Sequence, residues 1–382
     1  MFRFALNNVL TRKLRSIFAL VGLAIAVTGI IALISVSAGL RASVDMSLAM
    51  IDGLVVIRRD SVDPILSKIP ASLESQIESI PGVRVAVPEI WELAPSVEGK
   101  NTLLEGMFTA LAVFGVDPTK CARLKGGGLY GRHLKEGKFI EPGDEGQQVV
   151  VICTDVAEKY GKRIGDEISI AKHRFRIKGL YDTGVFFLNA ALVMPIDVAR
   201  KKQLFPPDVV SNFFVEVETP SQIPAVESAI EALSPDIDAK NTTEWSEEFR
   251  GIALNLDAFL VAIASIGILV GTIGILNTML MSVMERVSEI GILKANGWRK
   301  GDILKLILFE SLFLGLLGGL VGALFGWISA WVAGFFLPME PVVHWWLIAL
   351  SVLLASALGI AGGLYPAWYA AKLSPIEAIR FE

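Results

Sequence analysis

Charged residues are scarce in this sequence and are missing from four long stretches of it. Of its 382 residues only 19% are Asp, Glu, Lys or Arg, 53% are apolar, and the mean hydropathy is +0.56. Soluble domains carry about a quarter charged residues, so this composition excludes an ordinary soluble protein. The uncharged runs are residues 16–40, 258–284, 311–339 and 341–371. Each is longer than the roughly 20 residues with which a helix crosses a bilayer, so the sequence predicts four transmembrane helices.

Several kinds of chemistry are also missing. Nucleotide hydrolysis of the P-loop type needs a GxxxxGK[ST] loop, whose amides and lysine hold the phosphates and whose hydroxyl holds magnesium. The Gly-Lys pairs of this chain are followed instead by Asn101, Phe139 and Arg163. The histidines lie far apart, without the spacing of a metal site, at His133, His173 and His344. We therefore expect no catalytic, metal or cofactor site, and any nucleotide hydrolysis must come from another chain.

The distribution of charge predicts which side of the membrane each part occupies. Residues 41–257 carry 24 Lys and Arg against 32 Asp and Glu, a net charge of −8, whereas the remainder of the chain has a net charge of +4. The basic residues of the short connections are Arg3, Arg12, Lys13, Arg15, Arg286, Lys294, Arg299, Lys300, Lys305, Lys372 and Arg380. By the positive-inside rule, both termini are cytoplasmic and residues 41–257 are extracytoplasmic, in a multi-pass protein of the cell inner (plasma) membrane.

These observations predict the order of the domains. A cytoplasmic amphipathic N-terminus (1–15) precedes the first span (16–40), the extracytoplasmic domain (41–257) and a three-helix region (258–382). The three-helix region comprises spans at 258–284, 303–337 and 343–371 and a cytoplasmic loop at 285–302.

The extracytoplasmic domain is predicted to be α+β and to have two lobes. Its two ends, about 41–99 and 206–242, each combine a strand with an amphipathic helix. Its middle, about 100–205, is rich in glycine turns and short alternating strands, which indicates a mostly β lobe. Cys121 and Cys153 both lie in the middle part, either as a disulfide in an oxidising compartment or as two free thiols.

The loop between the second and third spans contains a predicted short helix. Its apolar residues recur every three positions, at Val287, Ile290 and Leu293, and Asn296-Gly297 is a stop signal. A helix that is apolar on one side and charged on the other either docks a partner protein or lies on lipid headgroups.

Two acidic residues near the start of the third span have different predicted roles. Asp302 is a candidate N-cap of the next helix. Glu310 is the one acid that could lie within a span. Because it is only a few residues past Lys305, we expect its side chain to reach the cytoplasmic interface rather than to relay protons.

Small residues are spaced four apart along the spans, which lets helix backbones approach closely. The glycines singled out for helix packing or a dimer contact are Gly267, Gly271, Gly315, Gly318, Gly319 and Gly322. Their spacing leaves open whether they pack within one chain or between two.

The last residues carry a second motif. Tyr365-Pro366 is predicted to kink or loosen the end of the fourth span. Ser374-Pro375, with Glu377, has the pattern of a capping box with proline at the first helical position. We therefore expect a second cytoplasmic docking element here.

Three separated segments together resemble a known family. They are ALNNVLTRKLRSIFALVGLAIAV (5–27), ERVSEIGILKANGWRKGDIL (285–304) and GLYPAWYAAKLSPIEAIRFE (363–382). In these the chain is similar to the permease subunits of MacB/FtsX-type ABC transporters. The segments GVDPTK (115–120), GRHLKEGKFI (131–140) and VVVICTDVAEKYGKRIGDEISI (149–170) resemble that family's periplasmic core domain.

The resemblance implies an α-helical membrane protein with a periplasmic core domain and an FtsX-like permease domain. It implies a non-catalytic homodimer served by an ABC-type ATP-binding subunit, with ATP and Mg on that subunit. ATP-driven movement of the spans and the external domain, or mechanotransmission, would export or extract a hydrophobic or amphipathic substrate. Further partners would be membrane lipids and a periplasmic adaptor protein, but no nucleic acid. MacB carries its ATPase on the same chain, whereas this sequence more closely matches members whose ATPase is separate.

The resemblance also assigns residues to roles. The ATPase-coupling residues carried over from the family motif are Glu285, Arg286, Glu289, Ile290, Gly291, Lys294 and Gly297. Those of the C-terminal motif are Tyr365, Pro366, Pro375 and Arg380. Two other functions stay open: an FtsX-like regulator of an extracytoplasmic enzyme such as a cell-wall hydrolase, and a membrane receptor or scaffold without an ATPase. A heterodimer also stays open.

Overall fold

The computed structural model describes residues 13–51, 53–61, 63–102, 110–202, 205–336 and 341–374. The chain divides into two compact units. We call Met1–Arg41 with Ile252–Glu382 the helical unit, and Ala42–Gly251 the α/β unit. The predicted amphipathic N-terminus, apart from its last three residues, and the C-terminal residues Pro375 and Arg380 lie outside the described residues.

The helices and strands have the following bounds. The α-helices are α1 (Lys13–Ala49), α2 (Glu74–Glu78), α3 (Pro118–Cys121), α4 (Gly128–Arg132), α5 (Thr154–Tyr160), α6 (Ile196–Lys201), α7 (Ile223–Glu231), α8 (Thr242–Met284), α9 (Val287–Ala295), α10 (Lys300–Phe336) and α11 (Trp345–Lys372). The strands are β1 (Leu54–Arg58), β2 (Ile69–Pro70), β3 (Val83–Leu93), β4 (Ala112–Val116), β5 (Leu134–Gly137), β6 (Val149–Cys153), β7 (Glu167–Ile170), β8 (His173–Tyr181), β9 (Ala191–Pro195), β10 (Val209–Val210), β11 (Asn212–Val217) and β12 (Ile237–Asn241).

One sheet runs through the α/β unit. Among the described residues it has ten strands, in the order β12-β1-β11-β3-β4-β9-β6-β8-β5 with β7 added to β8. Two neighbouring pairs, β4–β9 and β6–β8, are parallel, and the other neighbours are antiparallel. Strand β8 alternates buried and exposed side chains over most of its length, as expected where one face covers the core.

Three hydrophobic clusters occupy this unit, and the two larger ones correspond to the two predicted lobes, while Leu48, Val55, Ile57 and Trp245 form the third. The first joins β1, β11 and β12 to the apolar faces of α2 and α7, with Phe213 and Ile230 fully buried. The second surrounds β4, β6 and β9 and includes Tyr130 and Tyr181, whose rings meet edge to face at 4.9 Å. Strand β3 supplies side chains to both clusters, so the two predicted lobes share one sheet. Cys121 and Cys153 are both buried free thiols.

Four helices of the described residues are long and apolar enough to cross a membrane. These stretches are Leu20–Ala49, Asp257–Met284, Lys300–Phe336 and Trp345–Lys372. They match the four predicted spans, although the first helix continues to Ala49 instead of ending near residue 40. Helix α8 is continuous from Thr242 to Met284. Helix α11 also continues through Pro366 to Lys372, so the predicted loosening at this proline does not end the helix.

Glycine contacts define how the helices pack. A Cβ on Gly315 would lie 2.6 Å from the carbonyl oxygen of Ala355, and one on Gly319 would lie 2.9 Å from the Cβ of Ala355. A Cβ on Gly359 would in turn meet the carbonyl oxygen of Ser311 at 2.5 Å. Residue numbers rise along α10 as they fall along α11, so the two helices are antiparallel and in backbone contact.

The other face of α10 packs on α1. The contacts pair Gly318 with Leu23, Gly322 with Val27 and Gly326 with Ile31. Residue numbers rise together in these pairs, so α1 and α10 are parallel. Gly267 and Gly271 of α8 contact Ala26 and Leu23 of α1. All six glycines selected from the sequence therefore pack within one chain.

Candidate functional site

The short helix α9 lies between the second and third candidate spans. It ends at Ala295, and Asn296 and Gly297 close it with backbone hydrogen bonds to Ile292 and Lys294. Gly297 has φ +93°, a conformation that side-chain-bearing residues rarely adopt, which explains why glycine follows the helix. The predicted helix and its stop signal are confirmed.

The apolar stripe of α9 is covered by the chain itself. Val287 and Ile290 are 3% and 4% exposed, and Leu293 packs against the same cluster of apolar residues from the helical unit. Gly291 is buried as well. The stripe therefore holds α9 on its own bundle, and Ile290 and Gly291, which the sequence suggested for ATPase coupling, are not accessible to a partner in this structure.

Arg286, just before α9, makes a buried ion pair with Glu310 of α10. Its Nη1 donates to Glu310 Oε1 at 3.0 Å and to Oε2 at 3.3 Å, and its Nε donates to Glu289 Oε2 at 2.9 Å. Arg286 is 7% exposed and Glu310 is 4% exposed. The expectation that Glu310 reaches the interface is therefore wrong, because its carboxylate points to an internal cation.

The surroundings of this pair strengthen it. The nearby side chains are Ser282, Val283, Ile290, Ile303, Leu306 and Ile307. Because they are mostly apolar, the local dielectric constant is low and the attraction between opposite charges is larger than at a surface. Burial by itself lowers the pKa of Arg286, but Glu310 and Glu289 outweigh it, so the pKa is raised and the guanidinium stays charged.

Lys294 joins the other end of α9 to the end of α11. Its Nζ donates to the carbonyl oxygens of Ala371 at 2.7 Å and Leu373 at 2.5 Å. The last carbonyls of a helix have no partner within the helix and carry partial negative charge, so a lysine there is a favourable cap. Burial, and to a lesser degree Lys300, lower the pKa of Lys294.

The outer side of α9 and of the turn before it is exposed and mixed in character. The exposed residues there include Glu285, Ser288, Glu289 and Ile292. Ile292 is 51% exposed and was not selected from the sequence. Ile292 does not follow the three-residue spacing of the apolar stripe. It falls on the helix face that carries Glu289, and an apolar residue on a charged face is the sequence signal that could have identified it.

The remaining predicted residues have other roles or positions. Asp302 is not an N-cap: it lies in the first turn of α10, and its Oδ2 accepts from the backbone N–H of Arg299 at 3.0 Å. Tyr365 is exposed and Pro366 is buried within α11.

The α/β unit contains an unusual carboxyl group at Glu89 on β3. Its Oε2 accepts from Nδ2 of Asn212, its neighbour across the sheet, at 2.7 Å. Burial raises the pKa of Glu89 from its ordinary value of 4.5 to about 7, although the hydrogen bonds from Asn212 and Trp91 lower it. Within the residues that the structure describes, no group of three or more His, Cys, Asp or Glu side chains could hold a metal ion.

Comparison with known proteins gives two domain matches. Residues 16–233 match the MacB-like periplasmic core domain, and residues 261–375 match the FtsX-like permease C-terminal domain. The macrolide export ATP-binding/permease protein MacB of Bdellovibrio bacteriovorus is 30% identical over 98% of this chain. This chain spans only 61% of that relative's length.

A second relative has a length similar to that of this chain. The ABC transporter permease YknZ of Bacillus subtilis, described as uncharacterized, is 26% identical over 100% of this chain and 98% of its own length. The crystal structure of the extracellular domain of a noncanonic ABC-type transporter YknZ from Gram-positive bacteria aligns with 50% of this chain. The TM-score of this alignment is 0.39 and the sequence identity is 14%.

The two domain matches follow the same order as the helices. The periplasmic core match begins within α1 and covers most of the α/β unit, and the permease match begins near the start of the second candidate span and includes the third and fourth. The protein is thus a multi-pass membrane protein with an extracellular domain. Because the core-domain match alone covers more than half of the chain, this chain belongs to the MacB/FtsX-type family of ABC transporter permeases.

Proposed function

We propose that this chain is the permease subunit of an ABC transporter that works by mechanotransmission. An ABC-type ATPase on a separate chain binds ATP and magnesium and docks on the exposed side of α9. The resulting displacement of the bundle passes along α8, which is one helix from Thr242 to Met284. It drives the export or extraction of a hydrophobic or amphipathic substrate. The basic short connections support cytoplasmic termini and a cytoplasmic α9.

The observation that carries this proposal is the division of α9 into a side fastened to its own bundle and an exposed outer side. Its apolar stripe packs on the other helices of the bundle, and Arg286 and Lys294 at its two ends bind groups of α10 and of the end of α11. Its outer side exposes Ile292 beside Glu289. A helix lying on lipid headgroups would turn its apolar stripe outward. A single apolar side chain within a polar rim instead fits a protein interface, where such anchors contribute much of the binding energy.

Two further features support parts of the proposal. Helix α8 is the least buried of the four candidate spans, which leaves an apolar face for lipid and for a second copy in a homodimer. The relative from Bdellovibrio is named for macrolide export, and macrolides are amphipathic. An adaptor protein on the extracytoplasmic side would be a further partner.

The test compares Ile292→Asp with Ile164→Asp in nanodiscs containing the chain and its ATP-binding subunit. Ile164 is 40% exposed and belongs to the α/β unit, so it is a matched control. We expect Ile292→Asp to weaken ATPase association at least about 10-fold, which corresponds to about 1.4 kcal/mol, because a carboxylate would lose water in the interface. The Ile164 variant should bind as the parent does. Equal binding by both variants would show that α9 is not the docking site.

A further inference from the structure

The charged residues of α9 and of the turn before it fall into two groups with different surroundings. Glu285 and Glu289 are exposed, whereas Arg286 is enclosed and Lys294 is partly buried against carbonyl groups of the same chain. The family motif places all four together as coupling residues. Their positions in the structure separate two exposed acidic residues, one of which, Glu289, also binds Arg286, from two basic residues that contact other parts of the same chain.

We propose that Arg286 and Lys294 are positioning residues that fasten α9 to α10 and α11, so that the three helices move as one body. This inference rests on the proposed function in one respect, namely that α9 is the element on which the ATPase acts.

The first fastening is the ion pair at the start of α9. Arg286 reaches Glu310, which lies about three turns into α10, through two hydrogen bonds from one guanidinium nitrogen. A guanidinium has a planar, fixed set of donors, so it defines direction as well as distance. Glu289 binds the same guanidinium from the first turn of α9. The arginine therefore links the first turn of α9 to the body of α10.

The second fastening is at the opposite end. Lys294 lies in the last turn of α9 and donates to two carbonyl oxygens at the C-terminal end of α11. Since α10 and α11 are in backbone contact at Gly315 and Gly359, both fastenings attach to one closely packed pair. A rigid body needs more than one point of attachment to resist rotation, and the two ends of α9 supply them.

The apolar stripe alone would fix α9 less well. Val287, Ile290 and Leu293 give attraction that is not directional, so a helix held only by them could rotate or slide by small amounts. Buried polar pairs are retained in some proteins because they select one arrangement among several of similar energy. Loss of the fastenings should therefore change the position of α9 even where it leaves the stability of the protein unchanged.

The test measures the distance from α9 to α10 in the chain alone. Spin labels replace Ser288 and Leu320, which are both exposed, in a variant whose two native cysteines are alanine. The protein is reconstituted in lipid nanodiscs without any ATPase. We expect one narrow distance distribution in the parent. We expect a distribution at least twice as wide in Glu310→Met and in Lys294→Met.

Two controls separate positioning from folding. Arg299→Gln removes an exposed arginine from the same loop and should leave the distribution narrow. The double variant Arg286→Met with Glu310→Met replaces the ion pair by apolar contacts, a change that often preserves stability. We expect it to unfold at the parent temperature and yet to keep the wide distribution. A narrow distribution in this double variant, or in Glu310→Met, would overturn the proposal.

A second arm adds the ATP-binding subunit and a trapped ATP state. We expect the distance between positions 288 and 320 to stay the same within about 2 Å, because the helices move together. A larger shift would show that α9 pivots on α10 and would contradict the proposal. If no ATPase binds the parent chain, the proposed function fails while the first arm still decides the fastening.

Discussion

Replacing Gly315 by alanine should separate two helices that are now in backbone contact. The new Cβ would lie 2.6 Å from the carbonyl oxygen of Ala355 and 3.1 Å from the Cα of Gly359. An ordinary carbon–oxygen contact is about 0.7 Å longer than the first distance, so α10 and α11 must move apart locally by a similar amount. A gap of 0.5–1 Å forfeits roughly a quarter to a half of each dispersion contact across it.

The expected cost follows from these distances. Overfilling a packed contact costs about 1–3 kcal/mol, while alanine is favoured over glycine within a helix by about 1 kcal/mol. We therefore expect Gly315→Ala to destabilise the helix pair by up to about 2 kcal/mol. Gly274 of α8 has open space where alanine would place its Cβ, with no neighbouring atom within 4 Å, so Gly274→Ala should be neutral or stabilising by up to about 1 kcal/mol.

The assay follows the opening of the helix pair directly. Ser351 of α11 is 3% exposed, and a cysteine there becomes reactive only when the helices separate. Alkylation of Ser351→Cys, in a background without Cys121 and Cys153, gives the free energy of opening for each glycine variant in detergent. If Gly315→Ala and Gly274→Ala change this free energy equally, the close contact between α10 and α11 is not what the glycine provides.

Three further predictions concern the whole protein. Positions 100 and 296 are both exposed. A cysteine at position 100 should be labelled by a reagent added outside the cell, and one at position 296 only after permeabilisation. The reverse result would refute the proposed topology. A flexible Gly-Ser insertion between residues 248 and 249 should leave ATP hydrolysis intact and abolish substrate movement, because a flexible segment transmits displacement poorly; retained transport would exclude α8 as the lever. Glu89→Gln should stabilise the protein by about 1–3 kcal/mol at pH 8 and leave it unchanged near pH 4, measured by urea unfolding. The sign follows from the raised pKa of Glu89, because the folded protein keeps the proton more tightly than the unfolded chain and loses stability as the pH rises from 4.5 to about 7. If Glu89→Gln changes the free energy of unfolding equally at pH 4 and pH 8, the prediction is refuted.

The membrane class, the order of the domains and most of the local elements can be predicted from the amino-acid sequence. Uncharged runs of this length have few alternatives to a membrane helix, because a helix satisfies its backbone polar groups within itself. Turn residues and alternation likewise predicted a mostly β middle part, where the structure has the strands β4 to β9. These are local properties, and the periodicity of side chains is enough to determine them. Strand β12 was not predicted, since IDAKN has neither strong alternation nor β-branched residues beyond Ile237.

The contacts between these elements, in contrast, are seen only in the three-dimensional structure. The sequence shows that Arg286 and Glu310 exist, but their pairing depends on the direction in which α10 folds back past α9, which no short-range pattern specifies. For the same reason the family motif gives Arg286 and Ile290 as coupling residues without showing that both side chains are buried. The glycine spacing predicted close helix contacts without naming the partner helix, because a small residue permits an approach but does not direct it. Which helix packs against which depends on the shape of the whole bundle. For that reason the three-dimensional structure was needed to distinguish the side of α9 that packs on the bundle from the exposed side that carries Ile292.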